Sequence, residues 1–239
     1  MDFVSYAYLI WVLYSKWTLN MIKLPAYEKA FDYENNFYLS CKSARMAKSI
    51  SQYKLFERTV DIEGDIVECG VFKGASLSRF SMYRKIHDIE HKKIIGFDSF
   101  YVFPETEYEK DQELRSFFIS NSGDESISRE QMHEVLLNKD CNNNVNLIEG
   151  DITETVPKFI LNNPETKISF LNVDVDIYEP TVTILEYLFP LLTTGGIMIL
   201  DDYKVFPGET NAVDEYFNDS GIVVKKPLFV NTPYYVIKQ

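Results

Sequence analysis

The sequence predicts an α/β fold: a doubly wound, mostly parallel sheet with a closing antiparallel β-hairpin and an N-terminal helical cap. Three observations carry this. From residue 61 onward, short β-branched runs alternate with stretches of helical period. Each of the first five runs ends at or beside an acid. The first run, in Gly64-Asp-Ile-Val-Glu-Cys-Gly-Val-Phe-Lys-Gly-Ala-Ser76, passes through a glycine-spaced turn into a helix start. The chain's 239 residues, 46% hydrophobic and 15% aromatic, suffice for a sizeable core. A net charge of −12 makes nucleic acid an unexpected partner. The three cysteines, Cys41, Cys69 and Cys141, are odd in number and widely spaced, so they read as reduced thiols in a cytoplasmic protein.

Residues 1 to 60 form the expected cap, which contains no glycine, with helical spacing over Tyr27–Phe37 and Ala44–Leu55. Arg45 and Lys48 lie inside the second stretch. Phe3–Tyr14 is strongly apolar but lacks a basic start and a small-residue cleavage site, and Lys16 interrupts it short of the ~20 residues of a span. It reads as a helix packed on the domain or on a second subunit, as a lid, or as an interfacial contact; a membrane partner is not expected.

The main domain, residues 61 to 239, is read in order. Asp61–Cys69 is the first strand and Ser76–Ile86 the first helix. Lys93–Asp98 is the second strand, and Asp98 stands where an acid accepts from a nucleoside ribose; its other reading is a helix cap. Residues 101 to 140 form a long acidic, substrate-facing insertion with one helical piece, Arg129–Leu137. Val145–Glu149 is the third strand, closed by Gly150 and Asp151, and Thr155–Leu161 is a helix with Pro157 in its first turn. Lys167–Asp174 is an apolar, centrally buried strand. Pro180–Leu192 is a helix broken by Gly195-Gly196 before the strand Ile197–Leu200 and the pair Asp201-Asp202. A helix over 207–218 precedes the hairpin of Ile222–Lys226 and Tyr234–Lys238.

Ligands of such sheets bind at the carboxyl ends of the strands. The turn with Glu68, Gly70, Gly74 and Ser76 offers free backbone N–H groups and a helix N-terminus to a phosphate or a carboxylate. Its Gly70-x-x-x-Gly74 spacing departs from G-x-G-x-x-G and favours the amino-acid end of S-adenosylmethionine, with Ser76 donating to the carboxylate; an ordinary turn without ligand is the alternative. Glu68, Asp98, Asp151, Asp174 with Asp176, and Asp201 with Asp202 are expected to share one crevice. So many carboxylates require a counter-charge. Asp174, Asp201 and Asp202, without His or Cys, make a hard oxygen site for Mg²⁺ or Mn²⁺.

The runs D-I-V-E-C-G-V-F-K-G-A-S, G-F-D-S-F, E-G-D-I-T-E-T-V-P, N-V-D-V-D-I-Y-E-P-T and G-G-I-M-I-L-D-D-Y, with a later A-V-D-E-Y-F, together resemble the macrocin O-methyltransferase (TylF-like) family over roughly residues 60 to 218. The resemblance implies a Rossmann-like class I methyltransferase sheet and transfer of a methyl group from S-adenosylmethionine to a sugar hydroxyl with Mg²⁺. It implies that Glu68, Gly70, Ser76, Asp98, Ser99 and Asp151 hold the cofactor, that Asp174, Asp201 and Asp202 hold the metal, and that Asp176 is the general base. This chain has Val175 and Phe72 where the family usually has Gly and Trp. A sugar-containing small molecule is the expected acceptor and a homo-oligomer the expected assembly. A phenolic diol would chelate equally well, and Trp11, Trp17, Tyr101 and Tyr108 could stack on either ring. An NAD-dependent oxidoreductase would need the third glycine and a Tyr-x-x-x-Lys pair on a suitable helix.

Overall fold

A computed structural model describes residues 22–227 and 229–239. The apolar stretch 3–14, Trp11 and Trp17 lie outside the described residues. The strands are β1 Asp65–Cys69, β2 Ile94–Asp98, β3 Val145–Glu149, β4 Ile168–Val173, β5 Leu192–Leu200 and β6 Tyr234–Ile237. The helices are α1 Ala30–Ser40, α2 Ser43–Glu57, α3 Ala75–Ile86, α4 Glu109–Ser122, α5 Arg129–Asn138, α6 Ile152–Asn162, α7 Tyr178–Tyr187 and α8 Pro207–Phe217. Among the described residues no helix is long and apolar enough to cross a membrane.

The sheet runs β3-β2-β1-β4-β5-β6. The first five strands are parallel and β6 is antiparallel to β5, as expected of a doubly wound sheet with an antiparallel closure. Leu171, Val173, Met198 and Leu200 join Val156, Ile184 and Val213 of α6, α7 and α8 in one core. Ile66, Phe170, Ile197 and Ile199 join Phe56, Leu77, Phe80 and Met132 of α2, α3 and α5 in the other. Burial on both faces explains the unbroken apolar runs of β2 and β4. The strand order reverses between β1 and β4, which opens a crevice at their carboxyl ends.

Several expected boundaries move. The partner of β6 is β5, and of the expected arm Ile222–Lys226 only Lys225 bridges to Tyr235. Gly195 and Gly196 lie inside β5 and do not end a helix; α7 stops at Tyr187, and a 3-10 turn over Phe189–Leu191 carries Pro190. Helix α6 begins at Ile152, so Pro157 stands in its second turn, where it forgoes an intrahelical bond.

The insertion holds a helix not expected from the sequence, α4, whose one buried residue is Asp111; its Leu114, Phe117 and Phe118 stay partly exposed, with Phe118 packed against Phe72 and Phe103. Its anchorage is electrostatic and reciprocal. Asp111 Oδ1 accepts from Gly208 N at 2.7 Å in the first turn of α8, and its Oδ2 accepts from Tyr178 N at 3.0 Å at the start of α7. In return Glu179 of α7 accepts from Glu107 N at 2.9 Å, Tyr108 N at 3.1 Å and Thr106 Oγ1 at 2.9 Å, just ahead of α4. A Cβ at position 208 would stand 1.8 Å from Asp111 Oδ2, so this joint requires glycine. Asp111→Ala leaves two buried helix-end N–H groups without an acceptor and is expected to destabilise the protein by roughly 2–5 kcal/mol. Urea unfolding checks this, and a loss under about 1 kcal/mol would show that the insertion is anchored by other contacts.

Candidate active site

The turn after β1 owes its glycines to the protein's own packing. Gly70 has φ +89°, and a Cβ there would meet the Asp174 carbonyl oxygen at 1.7 Å; Gly74 has φ +78°, and a Cβ there would meet Met132 Sδ at 2.6 Å. The side on which a Cβ would stand is taken up by β4's end at Gly70 and by α5 at Gly74. The acid at the end of β2 braces the same turn. Asp98 Oδ2 accepts from Val71 N at 2.6 Å and Phe72 N at 3.0 Å, while Oδ1 accepts from Phe100 N at 2.6 Å. A carboxylate offers about four acceptor positions, so these three backbone donors leave one open on Oδ1. Ser99 turns inward and donates to Val102 O at 2.7 Å.

The register delivers the acids of β4 and β5 to one place. Val173 pairs with Leu200, so the residues that follow, Asp174 and Asp201, leave the sheet side by side. Carboxylate oxygens of Asp174, Asp201 and Asp202 all lie within 4.8 Å of one another. Asp176 joins them by a different route from an extended strand. Its φ is +64°, and Ile177 N donates to Val175 O at 2.6 Å, a left-handed γ-turn of the strained kind. The turn brings its carboxyl into a hydrogen bond with that of Asp202, which requires a proton between them. Burial and the charge of Asp174 push Asp176 up to about 8. Burial, with neighbouring acids, holds Asp174 and Asp202 well above the usual carboxylate range.

Two members of this cluster were not singled out from sequence. Lys48 of α2 makes an ion pair with Asp201 Oδ2, and the protein thus supplies part of the counter-charge itself. Burial opposes its charge, but Asp201 and Asp174 raise its pKa overall. Glu209 of α8 is fully buried, and its Oε1 accepts from Asp202 N at 3.3 Å. Burial, then Asp202 and Asp201, raise its carboxyl well above the usual range. Lys48 was visible as a basic residue on a helical face, whereas Glu209 stands in an unremarkable helix start. Asp201 Oδ1 and Glu209 Oε2 are buried without a hydrogen-bond partner.

The other expected acids divide. Asp151 follows edge strand β3 and caps α6 by accepting from Thr153 N at 2.8 Å and Thr153 Oγ1 at 2.7 Å. Tyr108 stacks on Tyr178, with centroids 4.8 Å apart. Glu68 is wholly buried, accepts from Asn172 Nδ2 at 3.0 Å and leaves Oε2 unpaired. Burial raises its carboxyl to about 8, partly offset by hydrogen bonds from Ser76 and Asn172. The folded state therefore keeps a proton on Glu68 that the unfolded chain releases. Stability from this group is full below about 4.5 and falls as pH rises to about 8. In chelator, the stability of Glu68→Gln relative to wild type is expected to improve steadily across that window, by up to roughly 4 kcal/mol. Parallel melting-temperature profiles for the two proteins would show that Glu68 titrates normally.

The macrocin-O-methyltransferase (TylF) family model matches residues 41–230. The demethyldecarbamoylnovobiocin O-methyltransferase of Streptomyces niveus is 30% identical over 160 residues, covering 65% of this chain and 59% of that protein. The 8-demethyl-8-(2,3-dimethoxy-alpha-L-rhamnosyl)-tetracenomycin-C 4'-O-methyltransferase of Streptomyces olivaceus is 28% identical over 165 residues, covering 67% and 60%. The chain thus spans about three fifths of the length of these curated relatives. Among solved structures, the calicheamicin methyltransferase CalS11 superposes with a TM-score of 0.74 at 26% identity, covering 90% of this chain and 86% of that one. The chain belongs to the macrocin O-methyltransferase (TylF) family.

Proposed function

We propose that this protein transfers a methyl group from S-adenosylmethionine to a hydroxyl of a sugar or glycosylated small molecule, assisted by Mg²⁺ or Mn²⁺. The observation that carries the reading is the convergence of Asp174, Asp201 and Asp202 within 4.8 Å at the carboxyl ends of two neighbouring strands, in a chain of this family. The donor set fits a hard divalent cation: three carboxylates, with Asp201 Oδ1 buried and unpartnered. When bound, such an ion supplies Lewis acidity to an acceptor hydroxyl, and S-adenosylmethionine supplies the methyl group. The rhamnosyl unit in the name of one relative favours a sugar acceptor.

The chain's own residues take the remaining roles. Asp176 receives the hydroxyl proton: its turn holds it in the acid cluster beside Asp202, and burial makes its carboxylate more basic than usual. Glu209 holds the backbone of Asp202, and Lys48 offsets the charge on Asp201. The first turn of α3, with Glu68, Gly70, Gly74 and Ser76, faces the cofactor's amino-acid end. Asp98 with Ser99 supports the adjoining wall, and Asp151 lies beyond it on the edge-strand side. The insertion over residues 101 to 140, latched by Asp111 and Glu179, bounds the acceptor side.

Chelation with EDTA is expected to abolish turnover and added Mg²⁺ or Mn²⁺ to restore it, with S-adenosylhomocysteine binding still measurable by calorimetry; full activity in chelator would rule out the metal. Asp176→Asn is expected to lower kcat by roughly 10²–10⁴ without moving the Mg²⁺ midpoint, whereas Asp174→Asn raises that midpoint. Because the base must be ionised, wild-type kcat/KM should rise with pH through its pKa, and the variant should lack that limb. A Mg²⁺ midpoint shifted in Asp176→Asn, with kcat restored at saturation, would make Asp176 a ligand instead.

A further inference from the structure

Helix α2 covers the crevice with a face whose polar atoms lack partners. Gln52 is wholly buried, and its Oε1 accepts from Arg79 Nη2 at 2.8 Å. A guanidinium only donates, so the amide oxygen must face it, and Gln52 Nε2 is left buried with no acceptor. Arg79 Nε and Ser51 Oγ are orphaned in the same way, and so is Glu68 Oε2, which lies close enough to Arg79 to respond to its charge. Arg79 stands one turn beyond Ser76 on α3, on the same helical face, next to the helix start that opens the candidate cofactor site.

The unsatisfied set is unbalanced in an informative way. Gln52 Nε2, Arg79 Nε and Ser51 Oγ can donate, and Glu68 Oε2, the carboxyl's free oxygen, accepts once an ammonium beside it draws off the proton that burial otherwise keeps there. A zwitterion answers both, with its carboxylate on the donors and its ammonium near Glu68. We propose that Gln52 and Arg79 hold the carboxylate of the cofactor's amino-acid end, which makes α2 the closing wall of the cofactor site. The inference rests on the S-adenosylmethionine reading above. It also gives α2 two duties on one face, because Lys48, one turn before Gln52, pairs with Asp201.

Calorimetry with S-adenosylhomocysteine and with 5′-methylthioadenosine, which lacks the amino-acid end, tests this on the wild type, Arg79→Met and Gln52→Glu. The glutamate variant keeps acceptor oxygens for Arg79 but sets a negative charge against the ligand's carboxylate, so it decides the matter if Arg79→Met fails to fold. Both variants are expected to bind S-adenosylhomocysteine about 10–100-fold more weakly, as for lost hydrogen bonds to a charged group, and 5′-methylthioadenosine within about twofold of wild type. Unchanged S-adenosylhomocysteine binding, or equal losses for the two ligands, would make the network purely structural and overturn the proposal. A wild type that binds neither ligand would overturn the function proposed above together with it.

Discussion

The rest of the site depends on the crowding of like charge at the ends of β4 and β5. Asp174, Asp176, Asp201, Asp202 and Glu209 meet in a region largely shielded from water, where each ionised carboxylate opposes the next. The protein relieves this in three ways within the described residues. It lets Asp176 and Asp202 share a hydrogen bond, it brings Lys48 from α2 onto Asp201, and it gives Asp202's backbone N–H to Glu209. Leaving unpaired oxygens on Asp201 and Glu209 shows that relief is incomplete. A cluster held short of neutrality in this manner is suited to capture a cation.

The same economy of space governs the backbone around it. Gly70 lets β4's end approach the turn after β1, and Gly208 lets a carboxylate from the insertion reach the start of α8. Asp98 holds that turn by its amides, and Asp111 holds α7 and α8 by theirs, so anions of the chain itself occupy helix and turn N–H groups that otherwise attract ligands. Left-handed backbone recurs around the site, at Phe72, Phe100 and Asp176, and the turn at Asp176 diverts the chain just as it leaves the sheet. That diversion, with Val175 packed inward at 7% exposure, explains how two acids separated by a single residue take different positions in one cluster.

Much of the fold was legible because it follows from local chemistry. Parallel strands buried on both faces must be apolar throughout, and a sheet that changes direction between β1 and β4 must place its strand ends together. The runs at Ile94–Asp98 and Ile168–Val173 and the acids behind them therefore announced both sheet and site. Helix α4 was missed since its one buried side chain is a carboxylate, and Gly195-Gly196 misled because glycine marks a helix stop and a strand irregularity alike.

The sequence by itself determined the parallel sheet, the glycine-spaced turn and the grouping of Asp174, Asp201 and Asp202, since each depends on residue type and on a repeat short enough to read along the chain. Tertiary structure decided which acids remain apart and which groups join. It had Asp151 cap a helix at the sheet's edge, packed β4's end and α5 where a side chain at positions 70 and 74 would stand, and carried Lys48 across 153 positions to Asp201. Such partners are chosen by packing between elements distant in sequence, where strand register and helix docking, not local pattern, fix what a charge will face.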